Sequence, residues 1–501
     1  MATRATSSKK ATPAKKAAPV KKAAPVKKAA AAVKKAVVKK AAPVKKAAAA
    51  VKKAVAKTAA VTTGALMLPT IHESSTSSGL RVLAAERGPL PLVAARLVIR
   101  AGSAADPADK HGLADFTARL LRRGTAKMNA DEIDETIEFV GASFSVGSSE
   151  DVLSLFVTTP AEHFPAMLSM LGQLVREPSF PEREVELARE RALAGFVNDL
   201  DDPSSIADRA FTRALWGSHP YGHDIGGSSA HVKTFTRDDL VRFHRERIGP
   251  KVSLLTVVGA VSPQQVVEEA EKAFAGWVGG PDAPPELPLA DQVATGRILL
   301  VDKPDQTQTQ VRIGGPGFRV GHPDYFPSTS MNNALGGGFT SRLVNEVRVE
   351  RGLTYGINSY FDMMNAGGVF GITTFTQTER TREMLDVTLG EVAKVRESGI
   401  TPAELKKAQR YLAGLYPLRT ETNESVAAVI SDIRVHGLGD DWVEKFRERL
   451  MAVKSKETVE VARKYLFPQA PLIVLLGRAA DVKKQLQGLG PVTVVPASDY
   501  E

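Results

Sequence analysis

The chain repeats itself, and that limits its folds more than any other feature. Ser253-Leu-Leu-Thr-Val-Val-Gly259 is echoed by Pro471-Leu-Ile-Val-Leu-Leu-Gly477, Arg191-Ala-Leu-Ala-Gly-Phe196 by Arg410-Tyr-Leu-Ala-Gly-Leu415, and Gly79-Leu-Arg-Val-Leu83 by Arg297-Ile-Leu-Leu-Val301. The offset is about 218 residues each time. Between the copies lies Gly279-Gly280-Pro-Asp-Ala-Pro-Pro-Glu-Leu-Pro288, a Pro/Gly-rich stretch without periodicity, which reads as a linker. Each copy runs through the same order of patterns. It opens with strands (92–100; 308–313) and a helix (110–123; 323–335), and in the first copy Ile133, Ile137 and Val140 mark a second helix. Strands at 152–158 and 369–376 follow, then long helices (161–176 and 182–199; 380–398 and 402–417) and a closing strand. Runs of strands followed by runs of helices predict an α+β architecture. Two duplicated units are expected, each a mostly antiparallel sheet covered on one side by helices, spanning 65–278 and 296–495 around a linker at 279–295.

Charge divides the chain differently. Residues 1–62 hold 18 Lys or Arg and no Asp or Glu, so the net charge of +10 becomes −8 for the rest. This Lys/Ala/Pro-rich tail has almost nothing to bury and is expected to be disordered, spanning on the order of 40 Å as free coil. Its chemistry suits phosphate backbones through counterion release. A solubilising or tethering role is an equal alternative, and no aromatic is interleaved for stacking on single strands. With no Cys there is neither a disulfide framework nor a thiolate site. No apolar run is long enough to span a bilayer, and Thr58 to Leu68 is too weakly hydrophobic for a secretory core. A cytoplasmic location is expected, with the periplasm as alternative.

Two motifs carry chemistry. The first is His111-Gly-Leu-Ala-Asp-Phe-Thr-Ala-Arg-Leu-Leu-Arg-Arg-Gly-Thr125. It resembles the signature helix of the insulinase-like metallopeptidases (M16, the inverted-zincin or processing-peptidase family), in which Gly-Leu-Ala-His-x-x-Glu-His is followed by Gly-Thr. In that motif two imidazoles four apart chelate zinc, and the glutamate takes a proton from the metal-bound water. The frame is kept here, but Asp115 and Arg119 stand at the histidine positions and Ala118 at the glutamate. A guanidinium has no lone pair to offer a metal. The family's third ligand is a glutamate on a later helix, and alignment on Asp201-Asp202-Pro203 puts Gly195 there. No zinc is therefore expected on this chain.

The second motif is Asn333-Ala-Leu-Gly-Gly-Gly-Phe-Thr-Ser-Arg-Leu-Val-Asn-Glu-Val-Arg-Val-Glu-Arg-Gly-Leu-Thr-Tyr355. It looks like the family's C-terminal-half signature: a Gly-rich turn, Ser-Arg-Leu, a helix, then Arg-x-x-x-Gly-Leu-x-Tyr. The resemblance makes Arg348 and Tyr355 the pair that reaches across to the zinc-bearing half to hold the substrate peptide and its scissile carbonyl. A fixed guanidinium and a phenol are suitable donors for a developing oxyanion. On spacing alone they would read as a solvated helix-end cation and a half-buried strand residue. Gly336-Gly337-Gly338 is no phosphate loop, because no Gly-Lys-Ser/Thr follows. A tight turn beside a close neighbour is expected. His219 and His223 sit in a Pro/Gly loop and read as structural, and Glu132, Glu135 and Glu138 as a solvated helix face.

The resemblance implies two such units facing across a cleft, and a non-catalytic, substrate-binding subunit working beside a zinc-bearing paralogue as a heterodimer. The substrate would be a peptide or unfolded segment, gripped by strand addition. Two rivals are an inactive scaffold within a larger assembly and a DNA-associated protein tethered by its basic tail.

Overall fold

The computed structural model describes residues 68–290, 295–439 and 441–500. The basic tail of residues 1–62 lies outside them, as does part of the linker. The first half contributes β1 (His72–Ser75), β2 (Arg81–Glu86), β3 (Leu92–Ile99), β4 (Ser143–Ser148), β5 (Leu153–Pro160) and β6 (Ser253–Gly259), ordered β1-β2-β6-β3-β5-β4 in one sheet. The second half contributes β7 (Ile298–Asp302), β8 (Gln308–Pro316), β9 (Ile357–Met363), β10 (Gly368–Gln377), β11 (Leu472–Gly477) and β12 (Val492–Pro496), ordered β12-β7-β11-β8-β10-β9. Five strands correspond one to one, which is the duplication made visible. The sixth does not: β1 comes before its neighbour β2 in the chain and pairs antiparallel, whereas β12 comes last and pairs parallel to β7. Apart from β12–β7, only β2–β6 and β7–β11 are parallel, so both sheets are mostly antiparallel.

The main helices of the first half are α1 (Leu113–Leu120), α2 (Ala130–Phe139), α3 (Phe164–Arg176), α4 (Glu182–Leu200), α5 (Pro203–Trp216), α6 (Arg237–Arg247) and α7 (Pro263–Ala273). Those of the second half are α8 (Tyr325–Asn332), α9 (Thr381–Ser398), α10 (Pro402–Leu415), α11 (Asn423–Val435), α12 (Trp442–Ala452) and α13 (Ser455–Tyr465). Alternation along the strands sends one set of side chains to helices of the same half. Val82, Ala84, Leu97 and Leu255 meet α3 and α7, while Leu300, Val311, Ile372 and Leu475 meet α9 and α13. The architecture is thus α+β in two duplicated units.

To this the structure adds an exchange of helices. β6 and β11 are buried at every position, which in a sheet means that both faces are covered. The second face of the first sheet (Leu83, Ala85, Leu254, Val258) packs against Val426, Ala427 and Ile430 of α11, from the second half. The second face of the second sheet (Leu299, Val301, Val474, Leu476) packs against Ile206, Ala210, Phe211 and Ala214 of α5, from the first half. Each large side chain so buried contributes about 1.5–3 kcal/mol. The far end of the Phe211 ring abuts the Gly314 backbone: a Cβ on Gly314 would meet its Cζ at 2.2 Å.

A polar lock accompanies each exchanged helix. Arg96 in the middle of β3 donates to Asp432 Oδ1 (2.8 Å) and the Ala428 carbonyl (3.1 Å) on α11. Arg312, at the equivalent place in β8, reaches Asp208 on α5, donates to Ser204 Oγ (2.7 Å), and is only 2 % exposed. Thus a single Arg in the strand, flanked by apolar residues, marks each point of exchange.

Candidate functional site

Helix α1 enters through Gly112, whose φ of +95° lies in the left-handed region. A Cβ there would also strike the Gly226 carbonyl at 2.5 Å, so no other residue fits. The buried Asp106 carboxylate accepts from the Gly112 amide (2.6 Å) and the Ala114 amide (2.7 Å), satisfying donors that a helix start leaves open. Burial pushes the Asp106 carboxyl up, partly offset by His223 and these two amides. The helix is thereby held rigidly against β4, with every residue but Arg119 buried.

The chemistry on that helix is an ion pair. Arg119 Nε donates to Asp115 Oδ2 at 2.6 Å, and Ser148 Oγ on β4 donates to Asp115 Oδ1 at 2.5 Å. The Asp115 side chain is 13 % exposed and that of Arg119 is 71 % exposed. Asp115, Arg119 and Gly195 of α4 all line one cavity of about 850 Å³, bounded also by β4 and α5. The structure therefore brings these three positions together. Ala118 is 1 % exposed and packs into the core instead of lining the cavity. A Cβ on Gly195 would meet nothing within 4 Å, so this position, where the resemblance would put a third ligand, faces open space.

These residues do not fit zinc. Asp115 is the single metal donor among the four positions, and its carboxylate is already claimed by a guanidinium and a hydroxyl. Among the described residues no group of three or more His, Asp or Glu is placed to hold a metal ion.

The second motif forms an exposed edge. The Gly-rich turn is a close approach, as expected: a Cβ on Gly336 would lie 2.3 Å from Ser359 Oγ of β9. Arg342 of the Ser-Arg-Leu triplet then grips Glu404 with two bonds of 2.7 Å, anchoring the π-helical segment Val344–Glu350 to the start of α10. That bidentate bond, with help from Thr401, holds the Glu404 carboxyl down at about 2. Arg348 is exposed on this segment, its guanidinium 5.7 Å from the centre of the Phe339 ring and without a hydrogen bond among the described residues. Gly352, at φ +57°, turns the chain, and Tyr355 emerges 84 % exposed. The simple reading of Tyr355 as a half-buried strand residue is thus corrected, since it precedes β9 and faces solvent. Neither Arg348 nor Tyr355 lines the cavity beside α1.

His219 and His223 are engaged as structural groups. His219 bonds the Pro288 carbonyl (2.8 Å) and accepts from the Tyr221 amide (3.1 Å). His223 bonds the Ser103 carbonyl (3.1 Å) and Asp106 (3.3 Å). It also stacks on His111 at 4.1 Å, and His231 lies 4.9 Å from the same ring. Burial, then the neighbouring His223 and His231, push His111 down to about 4. Glu132 is more than part of a solvated face: it closes a capping box with Asn129 at the start of α2. Sequence reasoning missed this histidine group and Arg209, which lines the same cavity as Arg119. The residues are far apart in sequence, and only the placement of α5 and the 217–231 loop assembles them.

Known proteins resemble this chain along most of the described residues. The family model described as insulinase (peptidase family M16) matches residues 81–228, and that described as the peptidase M16 inactive domain matches residues 234–412. An uncharacterized zinc protease of Streptomyces coelicolor is 24 % identical over 411 residues, covering 81 % of this chain and 89 % of its own. One from Mycobacterium tuberculosis is 28 % identical over 330 residues, covering 65 % of this chain and 74 % of its own. A peptidase M16 inactive domain from Pseudomonas fluorescens superposes with a TM-score of 0.77 at 27 % identity, covering 82 % of this chain and 98 % of that one.

Proposed function

We propose that this chain, which belongs to the insulinase (M16) family of peptidases, is the non-catalytic, substrate-binding subunit of a two-subunit zinc-dependent peptidase. The carrying observation is a contrast within one molecule. The expected zinc positions hold Asp115, Ala118, Arg119 and Gly195, whereas Arg348 and Tyr355 stand exposed, with no hydrogen bond committed among the described residues. Donors left free at the end of an anchored segment are suited to a group on another molecule.

The partner would be a paralogous chain with its zinc site intact, and its zinc would supply the activated water. This chain's own contribution is positional. Arg348 and Tyr355 donate to the scissile carbonyl and the peptide beside it, while Arg342–Glu404 and the Gly352 turn fix where the two donors point. The substrate is a peptide or unfolded segment, held extended along a sheet edge, where main-chain bonds tolerate many sequences. Among the described residues, no helix is long and apolar enough to cross a membrane.

The test is turnover by the reconstituted pair with Arg348→Ala in this chain. Loss of one such donor is expected to cost about 3 kcal/mol of transition-state stabilisation, roughly a hundredfold in kcat. Folding is expected to be unaffected, because the side chain is exposed. Unchanged turnover would favour the reading as an inactive scaffold.

A further inference from the structure

The cavity left where the family keeps its zinc is neither filled nor apolar. Arg119, Arg122 and Arg123 of the α1 region, Arg191 of α4 and Arg209 of α5 all line it. Several of their donors are unused. Arg119 spends only Nε on Asp115, leaving both terminal nitrogens of a mostly exposed guanidinium without a bond among the described residues. Arg191 has no hydrogen bond or ion pair among the described residues. Arg122 and Arg123 share a single carboxylate, Asp134. Arg209 is held by Asp199 and Asp224 over the Phe196 ring, yet its Nη1 is buried without a partner.

The α4 wall beside Arg191 is cut back. Ala188, Ala192 and Gly195 recur along α4 on the side that lines the cavity, and Gly195 faces open space. Nothing steric requires glycine there, although mid-helix glycine costs about 1 kcal/mol relative to alanine. The floor is β4, the outermost strand of its sheet, whose Val146, Gly147 and Ser148 line the same space. A peptide added to that edge would carry its side chains past the arginines.

We infer that the vacated zinc pocket is a carboxylate-binding subsite, selecting an acidic residue of a peptide laid along β4, with Arg119 and Arg191 as the reading donors. This deepens the substrate-binding reading and rests on it. Guanidinium groups thus stand in for the metal cation: an oxyanion is still bound, but without a Lewis acid to activate it. The cavity's own carboxylates Asp115, Glu184, Asp199 and Asp224 cancel most of its positive charge, which fits a monoanionic carboxylate better than a phosphate dianion. Arg–carboxylate recognition is also the geometry in which a forked donor is strongest.

Fluorescence anisotropy of the full isolated chain tests this, using two labelled extended peptides that differ only by a central Glu or Gln. The Glu peptide is expected to bind about tenfold tighter. Arg191→Gln, which removes no interaction within the described chain, is expected to cut that preference to about twofold. The paired change Asp115→Asn with Arg119→Gln, neutral overall, should remove most of it while leaving the melting temperature near that of the parent. Equal binding of the two peptides, a preference that survives both variants, or displacement by inorganic phosphate well below the acetate concentration required would each overturn the assignment. If neither peptide binds, the substrate-holding reading falls too. If both bind equally, only the acid selectivity falls, and the Arg348 turnover test stands apart.

Discussion

Arg96 and Arg312 occupy equivalent places in the two sheets and perform the same task, yet only one of them is sealed. Arg312 is 2 % exposed and reaches Asp208, Ser204, Gln310 and a strand carbonyl, whereas Arg96 is 11 % exposed and holds chiefly Asp432 and one carbonyl. The apolar contacts follow the same ranking. Helix α5 brings Phe211, Leu215 and Trp216 to the second sheet, while α11 brings the smaller set Val426, Ala427, Ile430 and a half-buried Val435 to the first. A duplicated topology therefore does not give two equal halves. The tightly sealed half presents Arg348 and Tyr355, and the looser one keeps a cavity between its helices.

The largest effect is expected where α5 meets the second sheet. Phe211→Ala should cost about 3–5 kcal/mol, because the ring sits directly on the Gly314 backbone and its removal leaves a cavity that a sheet cannot collapse to fill. Ile430→Ala, the matching change on α11, should cost less, about 2–3 kcal/mol. Urea unfolding followed by fluorescence and by circular dichroism reads both. Because each helix belongs covalently to one half and packs on the other, both variants are expected to unfold in a single coincident transition. Two separated transitions would show that the exchange does not couple the halves.

Next come the polar locks. Arg312→Ala removes a nearly inaccessible guanidinium together with its packed stem and strands several acceptors, at about 3 kcal/mol. Asp208 and Asp432 are both exposed enough to be rehydrated, so the difference lies in the arginines: Arg96 is less sealed and makes fewer bonds, and Arg96→Ala should cost about 1–2 kcal/mol. Equal losses would break the comparison, and a larger loss at Arg96 would reverse it.

These same residues show what could be read from sequence and what could not. The duplication, the α+β class and the long helices were legible because the echoes between residues 253–259 and 471–477, and the 3.6-residue patterns, are local signals. The residues at 115, 118, 119 and 195, where the resemblance would put a zinc site, were legible as identities, and the structure places three of them around one cavity. The exchange of α5 and α11 was not anticipated. Its clues were present: β6 and β11 are apolar at successive positions, as strands covered on both faces are, and a single Arg interrupts β3 and β8. Even Asp202-Pro203, used only to place Gly195, is the N-cap and first residue of α5. What a one-dimensional pattern lacks is the partner of each buried face. The cavity's Arg209 and the His111, His223 and His231 group were hidden for the same reason.

The smallest effect concerns acid. His111, His223 and His231 crowd together in the first half, and His111 is held down at about 4 by burial and by the other two rings. His231 is also lowered, with burial the leading cause. In the unfolded chain such a histidine takes up its proton near pH 6.5, so below that pH the unfolded state binds more protons. Stability is thus intact above pH 6.5 and falls as the pH drops toward 4. Asp106 works against this, since burial raises its carboxyl and a raised acid contributes stability that is lost as pH rises. The net slope should accordingly be shallow. Hydrogen exchange between pH 7 and 4.5 is expected to show protection falling first around the start of α1 and the 217–231 loop, while β7–β12 stay protected. His111→Asn should flatten that local slope without shifting exchange in the second sheet. Acid-induced opening that begins instead in the second half would mean that its tighter seam is not the more stable one.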